Sequence, residues 1–128
     1  VANSFSPIKN PVLLHGDATP ANFVTSSTGL MLLDWQCPIL GDPCFDLALF
    51  LSPSMRLAYG YDVATQQDED QILQGYGRAD ISTRYSGVRS AYHALFAAYS
   101  FWQVENGNHQ YSAGFEAEMK ALQNIRDS

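Results

Sequence analysis

His15-Gly16-Asp17-Ala18-Thr19-Pro20-Ala21-Asn22 is the stretch on which the reading of this chain turns. Before it, the apolar run Val12-Leu13-Leu14 reads as a short strand that delivers His-Gly-Asp. After it, Phe23-Val24-Thr25 and Leu30-Met31-Leu32-Leu33 flank Ser26-Ser27-Thr28-Gly29. Two β-prone runs around a Ser/Thr/Gly turn predict a hairpin. Asp34 closes the second run, and Trp35 follows it. A hairpin pivoting near Thr28 brings Asn22 and Asp34 to its open end, roughly opposite one another. Each can then aim one oxygen at a shared site.

The spacing fits the pattern H-x-D-x-x-x-x-N of catalytic loops in phosphoryl transfer. Three fixed positions coincide by chance roughly once in 8,000 starts if each residue type occurs about one time in twenty. Magnesium takes oxygen ligands and keeps much of its water, so the Asp34 carboxylate and the Asn22 carbonyl, together with nucleotide phosphates, make a sufficient set. Asp17 can accept a hydrogen bond from a substrate hydroxyl and orient it, because this chemistry depends on positioning and charge stabilisation more than on a strong base. His15 is expected to brace the loop by hydrogen bonding. For any one of these residues, satisfying backbone groups in a turn is the competing account.

The chain changes texture near residue 53. Gly41-Asp42-Pro43 reads as a turn, with Asp46 as the cap of a helix through Leu47–Leu51. Asp68-Glu69-Asp70 reads as the acidic first turn of another helix, ended by Gly75 and Gly77. From Ser82 to Glu105, Val88, Tyr92, Leu95, Phe96, Tyr99 and Trp102 recur at three- and four-residue spacings and predict a long helix. Asn106-Gly107-Asn108 ends it, and Phe115 to Ile125 forms a last helix.

Composition narrows the function. A chain of 128 residues, 46% hydrophobic and 16% charged, suits one packed domain. With 13 acidic and 7 basic residues the formal net charge is −6. Scattered basic residues do not make a nucleic-acid-binding patch, and the acidic surface suits a cationic small molecule better. No apolar run reaches the ~20 residues of a membrane span, and Val1–Lys9 carries no signal pattern, so a cytoplasmic protein without membrane contact is expected. Cys37 and Cys44 match no zinc or redox spacing and are expected to be buried free thiols.

The blocks HGDATPAN, LMLLDWQ and GDPCFDLALF, in this order, resemble the aminoglycoside phosphotransferase and choline kinase-like superfamily. The likeness is close over residues 12 to 51 and is one of texture beyond them. It implies an α+β architecture, a protein-kinase-like C-terminal lobe, mostly helical, with a small β-hairpin carrying the catalytic and metal residues. It also implies Asp17 as the catalytic residue, Asn22 and Asp34 as ligands of Mg2+ and through it of ATP or GTP, and His15 and Asp46 as structural supports of the loop. The acceptor is expected to be a hydroxyl on a small, cationic molecule, as in aminoglycosides, choline or thiamine. Many relatives carry Leu-His before the proline and Gly after it; here these positions are Ala18-Thr19 and Ala21.

Such proteins also have an N-terminal nucleotide-binding lobe. No candidate for its lysine or its phosphate loop is found here: Lys9 lacks the context, and Gly75-Tyr76-Gly77 is too short and too late. Residues 1–128 are therefore expected to be a single domain, the C-terminal lobe, inactive on its own: a fragment in the favoured reading, otherwise a lobe working beside a partner chain that supplies the other one, or a degenerate relative. The chain begins at Val1 rather than Met, which fits a piece of something longer. A lobe without its partner is expected to expose an apolar face and to self-associate.

Other residues carry weaker expectations. His93 is expected to be a satisfied core or rim histidine and His109 a solvated one. Tyr99, Phe101 and Trp102 are expected to pack in the core, with an acceptor pocket as the other possibility. Two rival functions remain: a non-catalytic domain of the same fold, and a metal-dependent phosphohydrolase using His15, Asp17 and His109.

Overall fold

The computed structural model describes residues 6–128. The architecture is α+β and largely helical, with two small antiparallel sheets at the N-terminal end. Strand β1 (Val12–Leu14) pairs with β4 (Ile39–Gly41), and β2 (Phe23–Ser26) pairs with β3 (Gly29–Leu32). The chain thus leaves β1, makes an excursion through the His-Gly-Asp loop and the hairpin, and returns beside β1. The excursion is held at its base by the register Val12↔Gly41 and Leu14↔Ile39.

Local chemistry explains the excursion. Thr19 is extended, with ψ 155°, as expected of a residue before proline, and Pro20–Asn22 form one 3-10 turn. The hairpin turns at Ser27-Thr28, where the Ser26 hydroxyl accepts the Thr28 amide at 3.2 Å and Gly29 adopts φ 126°. The predicted hairpin is present. The strand β4 went unread, because Ile39-Leu40 is too short a run to signal by periodicity.

Five α-helices follow: α1 (Cys44–Leu51), α2 (Pro53–Ala58), α3 (Gln66–Tyr76), α4 (Ala79–Glu105) and α5 (Ser112–Asp127). Helix α1 starts two residues before the expected cap. Pro43 supplies a helix-ready φ of −57°, and the Asp42 carboxylate accepts the Cys44 amide at 3.0 Å. Asp46 therefore lies within the first turn rather than at the cap. Helix α3 is closed by a capping box between Thr65 and Asp68 and ends at Gly77 with φ 75°. Gly75 lies inside that helix rather than ending it.

The core joins α1 to α4 through Leu47, Leu51, Ile81, Tyr85, Val88 and Phe96. Each such side chain contributes about 1.5–3 kcal/mol on burial. Cys44 is buried as expected, but Cys37 is exposed, on the segment returning from the hairpin. The aromatic run on α4 also departs from expectation. Phe101 and Trp102 are 53% and 57% exposed, and Tyr99 is exposed as well. The C-terminal turns of this 27-residue helix bury Phe96, Ala97 and Ser100, and turn Phe101 and Trp102 outward.

A second centre of packing is polar. Glu118 of α5 is wholly buried. One of its oxygens accepts the Ser52 hydroxyl at 2.5 Å, the Ser54 hydroxyl at 2.9 Å and the Ser54 amide at 3.1 Å. The other takes Nδ1 of His93 at 2.6 Å. This ties α2, α4 and α5 together and accounts for His93 as a satisfied histidine. Gly114 permits the approach, since a Cβ there would lie 2.8 Å from Cα of Ser54.

Candidate active site

Strand β1 ends by presenting His15, which is buried. Both its ring nitrogens are used: Nε2 donates to the Leu33 carbonyl at 2.8 Å, and Nδ1 accepts the Asp17 amide at 3.2 Å. These partners assign the proton to Nε2. Trp35 packs edge-on against the ring, with centroids 4.7 Å apart. His15 thus joins the start of the loop to the end of β3, one residue before Asp34.

Asp46 reaches the same loop from α1. Its Oδ2 accepts the His15 amide at 2.7 Å and its Oδ1 the Gly16 amide at 3.0 Å. Gly16 has φ 82°, and a Cβ there would lie 2.1 Å from the Cys37 carbonyl oxygen. Glycine is required at this position on both counts.

Asn22 folds back on Asp17. Its Nδ2 donates to the Asp17 carbonyl at 2.8 Å and to Asp17 Oδ2 at 3.2 Å. This leaves Asn22 Oδ1 and Asp17 Oδ1 without hydrogen-bond partners among the described residues. The Asn22 carbonyl accepts the Leu33 amide at 2.8 Å, so the pairing runs one step past the hairpin. Asp34 follows with φ 64°, a left-handed conformation uncommon for a non-glycine residue. Strain of that kind redirects a side chain at the end of a strand. The Asp34 carboxylate is exposed and makes no hydrogen bond among the described residues.

The available oxygens, from one amide and one or two carboxylates, are hard donors that suit magnesium. Among the described residues there is no cluster of three or more His, Cys, Asp or Glu that could hold a metal ion. With both His15 nitrogens engaged, the ligand set His15, Asp17 and His109 of a phosphohydrolase has lost its first member.

A family model described as the phosphotransferase enzyme family matches residues 6–95. The chain belongs to that family. No curated protein and no solved structure gives a significant match. The matched region takes in the loop, the hairpin, α1 to α3 and most of α4. The last turns of α4 and all of α5 lie beyond it.

Two residues near Asp17 escaped the sequence reading. Tyr59 follows α2, and Tyr111 ends the 3-10 turn before α5. The phenol of Tyr59 is pushed up by burial first, then by the Asp17 and Tyr99 charges. That of Tyr111 is pushed up to about 12 by burial, the adjoining Tyr99 hydroxyl, Tyr59 and Asp17. Tyr99 and Tyr111 meet edge to face at 5.7 Å, and Trp102 lies 6.2 Å from Tyr99. Tyr99, Trp102 and Tyr111 therefore form an aromatic cluster, and the phenols of Tyr59 and Tyr111 feel the charge of Asp17. No sequence periodicity links Tyr59 to Tyr111, because only the packing of α2 against the α4–α5 connection brings them together.

On the other flank of the loop is an apolar groove of about 480 Å³, lined by Val12, Leu13, Phe23, Leu30, Phe50 and Tyr76 among others. The outer faces of the two sheets are apolar too, with Leu13, Leu30 and Leu40 all 65% exposed or more. No helix among the described residues is long and apolar enough to cross a membrane.

Proposed function

We propose that this chain is the catalytic lobe of a small-molecule kinase, moving the γ-phosphate of ATP or GTP to a hydroxyl of a small, cationic acceptor. The observation that carries the reading is the Asn22–Asp17 pairing. By donating its amide nitrogen to Asp17, Asn22 turns its carbonyl oxygen to ligand duty and orients the Asp17 carboxylate. Asp17 is the catalytic residue: its free oxygen accepts the hydrogen bond of the substrate hydroxyl and holds it in line. Asn22 and Asp34 are the residues that would hold Mg2+. When bound, the metal supplies charge neutralisation for the nucleotide phosphates.

His15 and Asp46 are positioning residues. They act through the backbone of the loop and through Leu33, and they touch neither acceptor nor nucleotide. Tyr59 and Tyr99, both exposed, form the acceptor side, with the buried Tyr111 packed edge to face against Tyr99. Tyrosine faces beside a carboxylate suit a cation, in line with the formal net charge of −6. The apolar faces of β1, β3 and β4 receive the nucleotide-binding lobe, and in the isolated chain they favour self-association.

Two titrations test the metal assignment. In the first, Mn2+ added to 15N-labelled chain is expected to broaden the amides of Asn22 and Asp34 before all others. In the second, calorimetry with magnesium-ATP is expected to show binding that needs magnesium and is lost in Asp34→Ala. Broadening centred elsewhere, or nucleotide binding unchanged in Asp34→Ala, overturns the assignment.

A further inference from the structure

A second groove, of about 540 Å³, opens between α3, α4 and α5, and all its lining residues lie at or beyond Leu51 in the chain. It is therefore separate from the loop and hairpin. Its walls are apolar where Leu51, Pro53, Val63 and Ile125 line it. Its polar lining joins the basic Arg89, His93 and Lys120 to Glu69 and to the neutral Thr65, Gln66 and Asn124.

Arg89 and Lys120 have donors to spare. Arg89 uses Nη1 on Glu69 at 2.9 Å, while its Nε is buried without a hydrogen-bond partner among the described residues. A guanidinium has five N–H donors and no acceptor, and an orphaned buried donor costs about 1–3 kcal/mol. Lys120 is exposed and makes no ion pair or side-chain hydrogen bond among the described residues. His93 engages Glu118 through Nδ1, which leaves Nε2 as the open end of the ring. The carboxylates nearby are committed: Glu69 to Arg89, and Glu118 to His93 and the two serines. Lys120 is thus the one cation of the groove without a carboxylate partner among the described residues, in a chain of formal net charge −6.

We propose that this groove binds a small organic anion, a phosphate monoester or carboxylate with an apolar body. Arg89 and Lys120 take the anionic head, and the body lies along Pro53, Val63 and Ile125. Arginine is suited to an oxyanion because two of its N–H groups bond it in parallel. The site is independent of the phosphotransfer chemistry assigned to the loop.

The test is a titration of phenyl phosphate into 15N-labelled chain, in EDTA-containing buffer so that no metal recruits phosphate to the loop. Saturable shifts are expected at residues 64–69 and 117–125. Lys120→Gln, a surface change that leaves the core intact, is expected to weaken binding about two- to fivefold, the range of an exposed charge pair. Asp34→Ala is expected to leave binding unchanged. Inorganic phosphate and phenol, each carrying half of the recognition, are both expected to bind more weakly. The proposal is overturned by any of three results: no saturable shift, shifts confined to residues 15–34, or equal affinity in wild type and Lys120→Gln.

Discussion

The carboxylate of Asp46 grips the chain at His15, accepting its amide at 2.7 Å, while the other oxygen takes the next amide, that of Gly16. The residues are 31 apart in sequence, so this bond fixes the His-Gly-Asp loop to the first turn of α1. Hydrogen bonds to a charged acceptor contribute about 1.5–3 kcal/mol each. Asp46→Ala is expected to destabilise the chain by about 2–4 kcal/mol, read as a lower urea midpoint. Asp46→Asn, which keeps one acceptor oxygen, is expected to lose less. Equal stability of all three proteins would show that the loop holds itself.

Gly16→Ala is expected to be more disruptive to the site than to the core. The new methyl group meets the Cys37 carbonyl oxygen, and φ 82° is itself unfavourable for alanine. Backbone must move, and the His15–Leu33 and Asn22–Asp17 bonds with it. Amide shifts should spread over residues 15–22 and 33–37 while α4 and α5 stay unchanged. Native-like spectra throughout would refute the contact.

Glu118→Gln replaces an acceptor-only group by one that turns a donor toward Ser52, Ser54 or His93. The loss is expected to be about 3 kcal/mol, as for breaking a buried charged pair. Ser52→Ala removes one partner and the α2 cap, at a cost of about 1–2 kcal/mol. Thermal or urea unfolding measures both.

The two thiols should react differently. Cys37 is exposed, whereas burial first, and then Asp42, pushes the Cys44 thiol from an ordinary 9.0 up to about 12. At pH 8 a disulfide reagent is expected to modify Cys37 at once and Cys44 only on unfolding. A folded-state value above the unfolded one means that stability is fully present below pH 9 and is lost as pH rises from 9.0 toward about 12. Tyr92 and Tyr111, each pushed up to about 12 chiefly by burial, act in the same direction. The urea midpoint should therefore fall above pH 9, and less steeply in Cys44→Ala.

On the acceptor side, Tyr111→Phe removes a hydroxyl beside Tyr99 without opening a cavity. With a nucleotide-binding lobe supplied, it is expected to raise KM for the acceptor several-fold with little change in KM for nucleotide, since the Tyr111 phenol feels the charge of Asp17. A change confined to the nucleotide would place the acceptor elsewhere.

The loop and hairpin were legible because their signals are local. His15, Asp17 and Asn22 lie within eight residues, the Ser/Thr/Gly turn specifies the hairpin, and Asp34 follows from its length. Helix α3 was legible in the same way through its acidic first turn and Gly77, whereas α4 and α5 begin three residues before the expected Ser82 and Phe115, with no side-chain cap at either start. What the sequence could not determine depends on contacts between distant segments. Strand β4 exists because β1 is there to pair with it. Asp46 was expected from the resemblance to brace the loop, but its place inside the first turn rather than at the cap follows from α1 beginning earlier, with Asp42 accepting the Cys44 amide. The tyrosine cluster, the buried Glu118 cluster and the second groove each need three or more elements to meet. Their residues recur at no period, so only the tertiary packing, which sets the solvent exposure and the neighbours of each side chain, decided them.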